Sequence, residues 1–143
     1  MHYVEENNIP ELLLLIDFEK AFDSISWKFV QKTLEYFNFG YSIKRWISVF
    51  YTNIQSSVIQ NGYLSSFFDI GRGCRQGDPL SSYIFILCTE ILTQKIKNNK
   101  KIKGLKIDGI EHLLSLFADD SSVLLDGSPE SLNETLTELS YFA

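Results

Sequence analysis

The stretch that most constrains this chain runs from residue 112 to residue 125 and reads HLLSLFADDSSVLL. Two short apolar runs flank four polar residues at positions 119–122, a pattern that predicts a β-hairpin with a tight turn. The hairpin tip would carry Asp119 and Asp120, whose carboxylates repel each other and tolerate this crowding best with a cation between them. Asp is also a favoured turn residue for local hydrogen-bonding reasons alone. The chemistry of the hairpin therefore depends on what lies beside it.

A further acidic position follows an apolar run near the start of the chain. Residues 12–16 read LLLLI, which is too short for an independent helix and predicts a strand buried on both faces, with Asp17 at its carboxyl end. If this strand neighbours the hairpin, Asp17, Asp119 and Asp120 share one edge of a sheet. Carboxylates without His or Cys suit two Mg²⁺ ions about 4 Å apart, as in phosphoryl transfer, and do not suit structural zinc. The residues alone therefore predict a metal-dependent phosphoryl-transfer site.

Two amphipathic helices are predicted between these acidic positions. The first covers residues 26–37 with Ser26 as its N-cap, and Gly40 is the signal that ends it. The second covers residues 42–51. Both carry apolar stripes at helical spacing, and core packing is the simplest reason for such stripes. Their members are Trp27, Val30, Leu34 and Phe37 in the first helix, and Ile43, Trp46, Ile47 and Phe50 in the second.

A glycine-rich loop precedes the longest predicted helix. Residues 71–77 read GRGCRQG, and a chain without Cβ atoms can approach a nucleotide or a template strand closely. Asp78 as N-cap and Pro79 at the first helical position then begin a helix that reaches about residue 98.

Turn dipeptides predict two more hairpins, and the order of elements predicts the fold class. Asn-Gly at positions 61–62 joins strands at residues 56–60 and 63–70, and Asp-Gly at positions 108–109 joins another pair. A last helix opens at residues 128–130 and packs through Leu132, Leu136 and Leu139. We predict an α+β fold in which helices back a mostly antiparallel sheet.

Composition narrows the classes of function. Thirteen Lys and Arg against eighteen Asp and Glu give a net charge of −5, which argues against a free-standing nucleic-acid binder and is compatible with a carboxylate metal site. Lysines at residues 95–103 favour a solvated helix end over a nucleic-acid patch. Cys74, Cys88, His2 and His112 lack the spacing of a disulfide framework or a zinc site. With no signal peptide or membrane-spanning run, we expect an intracellular protein that does not contact membranes.

Three motifs carry a resemblance to a known family. They are DFEKAFD at residues 17–23, GCRQGDPLS at residues 73–81 and FADD at residues 117–120. In order, wording and spacing they resemble motifs A, B and C of reverse transcriptases, and they are most similar to the LINE-type (non-LTR) retrotransposon branch. The resemblance implies a polymerase palm that adds dNTPs to a primer 3′-hydroxyl on an RNA or DNA template.

The resemblance also implies a role for each motif residue. Asp17 and Asp119 would hold two Mg²⁺ ions, or Mn²⁺ in their place, with the main-chain carbonyl of Phe18 assisting and Asp120 close by.

A second group of motif residues would bind the nucleotide. Phe22 falls at the position of the aromatic gate, which leaves no room for a ribose 2′-hydroxyl. Gln76 and Gly77 would approach the incoming nucleotide and the template.

The resemblance covers essentially the whole chain but not a whole enzyme. We expect residues 1–143 to be a partial reverse transcriptase domain, a palm that lacks the N-terminal part of the fingers and the thumb, and those segments of a longer polyprotein are the expected partners. Two alternatives remain open at this point. One is an inactive truncated or domesticated remnant that acts, if at all, as a binding module, and the other is an unrelated α+β domain with chance acidic turns.

Overall fold

The computed structural model of the protein describes residues 11–18, 20–75, 77–117 and 120–142, and it describes Phe117 by its backbone alone. Two of the predicted site residues, Gln76 and Asp119, lie outside this set. The chain forms two compact units. We call Met1–Glu19 with Thr89–Ala143 the sheet unit and Lys20–Cys88 the helical unit. The assignment of residues 1–143 to one partial domain stays a prediction.

The described residues form helices and short strands that alternate along the chain. In chain order they are β1 (Leu12–Asp17), α1 (Ala21–Ser24), α2 (Trp27–Tyr36), α3 (Tyr41–Phe50), β2 (Gln55–Ser56), β3 (Ile59–Gln60), β4 (Tyr63–Leu64), β5 (Phe68–Asp69), α4 (Pro79–Asn98), β6 (Leu105–Ile107), β7 (Ile110–His112), β8 (Leu114–Phe117), β9 (Asp120–Leu125) and α5 (Pro129–Phe142). All the strand pairs are antiparallel, so the α+β prediction is confirmed. In the part of the chain that the structure describes, no helix has the length and apolarity needed to cross a membrane.

The sheet unit is built on three strands in the order β1-β9-β8. One face of this sheet packs into a core that includes Val123 and Leu125, which are fully buried. The prediction that β1 is buried on both faces is wrong, because its residues alternate: Leu13 is 41% exposed and Leu15 is 74% exposed. A strand that covers one layer of core needs apolar residues on one side only, and an unbroken apolar run does not reveal which side is covered.

The acidic hairpin is present, but its turn is shorter than predicted. The register pairs Phe117 with Asp120 directly, so β9 begins at Asp120 and the predicted turn at residues 119–122 is wrong for its last three residues. Ser121 is buried in the strand and Ser122 continues it. Polarity suggested a turn here, yet antiparallel pairing satisfies the backbone of serine as well as that of any other residue.

The last helix of the sheet unit, α5, buries a polar face that the sequence did not suggest. Ser131 and Thr135 have no exposed surface, whereas Leu136, predicted to face inward, is 46% exposed. The Ser131 hydroxyl accepts a hydrogen bond from the Lys103 amide at 3.1 Å, and the Thr135 hydroxyl donates to the Ser131 carbonyl at 2.7 Å. Because these hydroxyl groups are paired, burying them costs little.

In the helical unit, helix α2 begins as predicted and ends differently. The Ser26 hydroxyl accepts a hydrogen bond from the Phe29 amide at 3.2 Å, which confirms the N-cap. Asn38, not Gly40, adopts the left-handed conformation that ends the helix (φ 55°), and the Phe39 amide then donates to the Leu34 carbonyl at 2.9 Å. Asn tolerates this conformation nearly as well as Gly does, so either residue could have been the signal.

Helix α3 contributes less to the core than predicted. Ile47 is buried, but Ile43 and Phe50 are exposed and Trp46 is 66% exposed. The prediction of core packing is therefore confirmed for the stripe on α2, where Val30 and Leu34 are buried, and wrong for most of the stripe on α3. Helical periodicity identifies a common face without showing that a neighbour covers it.

The predicted hairpin at the Asn-Gly turn is present and contains a bulge. Asn61 and Gly62 both have positive φ, as a tight hairpin turn requires, and β3 pairs with β4 on either side. Farther from the turn, β2 pairs with β5 in a register shifted by one residue. The Ser65 hydroxyl accepts from the Val58 amide at 2.9 Å beside the extra residue.

Candidate active site

The sheet unit places two of the predicted acidic residues side by side. Asp17 at the end of β1 pairs directly with Asp120 at the start of β9, and both side chains are exposed. Residues that lie directly opposite in an antiparallel pair project from the same face, with Cβ atoms roughly 4.5–5.5 Å apart. Because Asp17 alternates with Ile16, which is partly buried and packs against the core, this is the face turned away from the core.

A shallow depression of about 400 Å³ lies over this face. Its lining includes Asp17 and Asp120 together with Leu15, Ser115 and Ser122. The Ser122 hydroxyl is used within the sheet, since it donates to the Ser115 carbonyl at 3.4 Å. The two carboxylates are therefore the only charged groups among the described residues that line the depression.

The donor chemistry of this pair fits a hard divalent cation. Like charges directly opposite each other on a sheet destabilise it, and a cation shared between them removes that cost. Mg²⁺ takes one or two protein carboxylates and fills its remaining positions with water and phosphate oxygens. The described residues contain no cluster of three or more metal-binding side chains, so the described part of the site is this carboxylate pair. The role of Asp119, and that of the Phe18 carbonyl, stays a prediction.

This geometry predicts the effect of Asp120→Asn in the absence of metal. We expect the free energy of unfolding to rise by about 0.3–1 kcal/mol, because the change removes one of two directly opposed negative charges. Stabilisation by added Mg²⁺ should disappear in the same variant. Urea unfolding with and without Mg²⁺ measures both effects, with Asp108→Asn at an exposed hairpin turn as the matched control. A clear loss of metal-free stability in Asp120→Asn would contradict the account.

The helical unit holds the glycine-rich loop by its backbone. The Gly73 amide donates to the Ile25 carbonyl at 2.8 Å, and the Cys74 amide donates to the Phe22 carbonyl at 2.7 Å. The Trp27 indole N–H donates to the Gly73 carbonyl at 2.9 Å. The loop is thus attached to the segment around α1, which contains the predicted gate residue Phe22.

The attachment of this loop to the segment around α1 requires a residue without a side chain at position 73, which is Gly73. Its φ of +92° lies in the region that side chains disfavour, and a Cβ added there would lie 3.0 Å from the Asp23 carbonyl oxygen. Gly77, predicted to approach nucleotide and template, also has a positive φ (+86°), but a Cβ there would meet no atom within 4 Å. The structure therefore explains Gly73 by packing, and the role of Gly77 in nucleotide binding stays a prediction.

The side chain of Phe22 is partly buried and stacks on Phe85 of helix α4. The ring centroids are 4.7 Å apart and the ring planes meet at 24°. Sequence analysis missed both Phe85 and the Trp27 hydrogen bond. A hydrogen bond from Trp27 could have been anticipated, though not its partner, because an indole N–H that enters a protein interior usually needs an acceptor.

The two cysteines are unsuited to metal binding or nucleophilic chemistry. Cys74 and Cys88 are both buried, and burial raises the pKa of each thiol, that of Cys88 to about 11. A thiol binds metal or attacks as its thiolate, which these environments disfavour. Tyr51, beside Cys74, also has its pKa raised by burial, to about 12. These groups are therefore neutral packing elements at physiological pH.

Comparison with known proteins gives the class of this chain. The family model described as reverse transcriptase (RNA-dependent DNA polymerase) matches residues 1–143. The chain belongs to the reverse transcriptase family, as the motifs at residues 17–23, 73–81 and 117–120 indicated.

The individual relatives come mainly from non-LTR retrotransposons. The chain is 30% identical to the transposon TX1 uncharacterized 149 kDa protein of Xenopus laevis over 122 residues, which cover 84% of the chain and 9% of that protein. It is 27% identical to the Pol polyprotein from the type-1 retrotransposable element R2 of Popillia japonica, over 89% of the chain and 21% of the polyprotein. The uncharacterized mitochondrial protein AtMg01250 of Arabidopsis thaliana is 42% identical over 71 residues, which cover 45% of the chain and 57% of that protein. The chain thus spans between 9% and 57% of the length of these relatives.

Proposed function

We propose that this chain is the palm portion of an RNA-directed DNA polymerase that adds dNTPs to the 3′-hydroxyl of a primer. The observation that carries the proposal is the direct pairing of Asp17 with Asp120 on the open face of the sheet. A whole-length match to the reverse transcriptase family supports it. Among carboxylate sites, exposed and directly opposed Asp residues suit metal ions that remain open to substrate phosphates.

The reaction joins the primer to the α-phosphate of the nucleotide. The bond from the 3′-oxygen to phosphorus forms while the bond to the bridging oxygen breaks, pyrophosphate leaves with that oxygen, and the hydroxyl proton passes to water. When bound, two divalent cations stabilise the attacking and leaving oxygens of such an in-line displacement. We assign Asp17 and Asp119 to holding these cations, with the Phe18 carbonyl and Asp120 beside them. The cations are Mg²⁺, or Mn²⁺ in its place.

The substrates and partners follow from the same proposal. A primer on an RNA or DNA template and the incoming dNTP are the substrates. Because the chain spans 9% of the TX1 protein and 21% of the R2 polyprotein, we assign it the other segments of a longer polyprotein as partners, including fingers and thumb. Basic residues in those segments would supply the positive surface that a chain of net charge −5 lacks.

Primer extension tests the proposal. The assay uses an RNA template, Mg²⁺ and dNTPs, first with this chain and then with a longer protein that carries it. We expect template-dependent products that require a primer with a 3′-hydroxyl and that vanish in Asp119→Asn. Products that persist in Asp119→Asn, or no product from either folded protein, would contradict the proposal.

The gate assignment makes a separate prediction for Phe22→Val. A smaller side chain leaves room for the 2′-hydroxyl, so we expect the preference for dNTP over rNTP, as a ratio of kcat/KM values, to fall about tenfold or more. Because both substrates are compared in one preparation, a loss of folded protein cancels from the ratio. Phe68→Val, at an exposed strand position, is the matched control. An unchanged ratio in Phe22→Val removes the gate role from this residue.

A further inference from the structure

We propose that Trp27 is a positioning residue for sugar selection: through the glycine-rich loop it fixes the backbone that carries the gate residue Phe22. The inference rests on the proposed function, because Phe22 selects a sugar only if the chain adds nucleotides. Trp27 is not assigned any contact with substrate. Its effect passes through Gly73 and Cys74 to the Phe22 carbonyl.

The first step is the attachment of the loop to both ends of the turn that carries the gate. The Cys74 amide donates to the Phe22 carbonyl, within the one-turn helix α1, and the Gly73 amide donates to the Ile25 carbonyl just after that helix. A β-bridge between Ser26 and Arg72 continues the same contact. A helix of four residues has almost no stability of its own, so these contacts from the loop set its position.

The second step is the part that Trp27 plays in holding the loop. Its indole N–H donates to the Gly73 carbonyl at 2.9 Å, so the amide and the carbonyl of Gly73 are both engaged in hydrogen bonds. The indole ring lies against the buried ring of Tyr51, with centroids 5.7 Å apart. Since Trp27 opens helix α2 and Tyr51 follows helix α3, the indole ties Gly73 to the framework of the helical unit.

The third step is the gate ring itself. The backbone carbonyl of Phe22 accepts a hydrogen bond from the Cys74 amide, and the Phe22 ring stacks on Phe85, which is 3% exposed. Rejecting a single hydroxyl requires the ring to keep its place within a fraction of an ångström, and selectivity is lost when the residues behind it loosen. Among these contacts, Trp27 holds the loop through a side-chain hydrogen bond, whereas the others are backbone hydrogen bonds or ring stacking. A mutation can therefore remove the Trp27 contact by itself.

Trp27→Phe isolates that hydrogen bond. Phenylalanine keeps an aromatic ring against Tyr51 and removes the N–H donor, so the Gly73 carbonyl loses its partner. Trp46→Phe is the matched control, because Trp46 belongs to the same unit, is 66% exposed, and its indole N–H donates no hydrogen bond to any residue that the structure describes. Phe22→Val serves as the positive control for loss of sugar selection.

The kinetic test compares dNTP and rNTP in the protein that performs primer extension. We expect Trp27→Phe to lower the dNTP preference several-fold, mainly by improving KM for rNTP, while kcat for dNTP changes little and Trp46→Phe matches the unchanged protein. Absence of extension in the unchanged protein would contradict the proposed function. Normal extension with a ratio altered by Phe22→Val but not by Trp27→Phe would overturn this inference alone.

A second measurement needs no enzymatic activity. Hydrogen exchange at the Gly73 and Cys74 amides should become about five- to tenfold faster in Trp27→Phe, the change expected when one hydrogen bond of a local opening unit is lost. A fluorine label on the ring of Phe22 should show an altered or broadened NMR resonance in the same variant. Trp46→Phe should leave both observables unchanged. If Trp27→Phe also leaves them unchanged, the positioning role is wrong whatever the activity.

Discussion

Under the proposed mechanism, replacing Asp17 with Asn will lower the rate of nucleotide addition by about a thousandfold or more, because the change would remove a negatively charged ligand from a site proposed to stabilise phosphoryl-transfer charge through bound cations. The amide of Asn is close to Asp in size, so packing is preserved. Asp17 is exposed at the end of β1, on the side of the strand that alternates with the partly buried residues. We therefore expect the loss of activity without a loss of folding.

Single-turnover primer extension measures this effect, with circular dichroism on the same samples. Asp108→Asn makes the same chemical change at an exposed turn of the sheet unit and should retain full activity. The rate is measured with Mg²⁺ alone and, separately, with Mn²⁺ alone. If Asp17→Asn retained more than about a tenth of the rate with either ion, Asp17 would not be a metal ligand in the reaction.

Replacing Gly73 with Ala will destabilise the helical unit by about 2–4 kcal/mol, through backbone strain at positive φ together with overpacking. The φ of +92° disfavours any side chain, and the added Cβ would lie 3.0 Å from the Asp23 carbonyl oxygen and 3.1 Å from its Cα. Both contacts are with backbone, which cannot rotate away as a flexible side chain would. Moving it would stretch the two amide hydrogen bonds that join the loop to Phe22 and Ile25.

Gly71→Ala is the matched control, two residues earlier in the same loop. A Cβ at Gly71 meets no atom within 4 Å, and its φ lies outside the left-handed region. Alanine there should leave stability unchanged or raise it slightly, by up to about 1 kcal/mol, because it restricts the unfolded chain. Chemical denaturation of the two variants gives the comparison. Equal stabilities would show that the loop does not pack against Asp23 as described.

The elements of the fold that were predictable are those with local causes. The Ser26 N-cap, the Asp78-Pro79 helix start and the Asn-Gly turn each depend on hydrogen bonds or dihedral angles within a few residues. The Leu80 amide, for example, donates to the Asp78 carboxylate at 2.9 Å, as the sequence suggested. Local chemistry of this kind is readable without knowing the fold.

The failures share a different cause, which is that burial depends on distant neighbours. Leu15 and Trp46 look like core residues by pattern and are exposed, while Ser131 and Thr135 look like surface residues and are fully buried. Whether Ser131 is buried depends on the carbonyl of Lys101 and the amide of Lys103, which come from another part of the chain. The pattern of apolar residues along α5 therefore could not show that Ser131 is buried.

The candidate site also has a part that could be predicted from the sequence and a part that could not. Asp17 ends one apolar run and Asp120 lies at the tip of a predicted hairpin, so their proximity could be supposed from the sequence, whereas the β1–β9 register that pairs them directly could not. The contacts that fix Phe22 could not, because the Gly73 carbonyl and the Trp27 indole are 46 residues apart along the chain. The sequence motifs identified Phe22 and the glycine-rich loop as candidate site residues, and the tertiary structure showed the hydrogen bonds that join them.

The most direct test of the central claim, that the sheet edge carrying Asp17, Asp119 and Asp120 holds divalent cations, is a titration of the ¹⁵N-labelled chain with Mn²⁺ followed by NMR. The account predicts that the amide resonances of Asp17 and Asp120 broaden first and together, that added Mg²⁺ reverses the broadening, and that Asp120→Asn abolishes it. The Asp108 resonance should persist throughout. Broadening that spread evenly over exposed acidic residues, or that survived in Asp120→Asn, would contradict the claim.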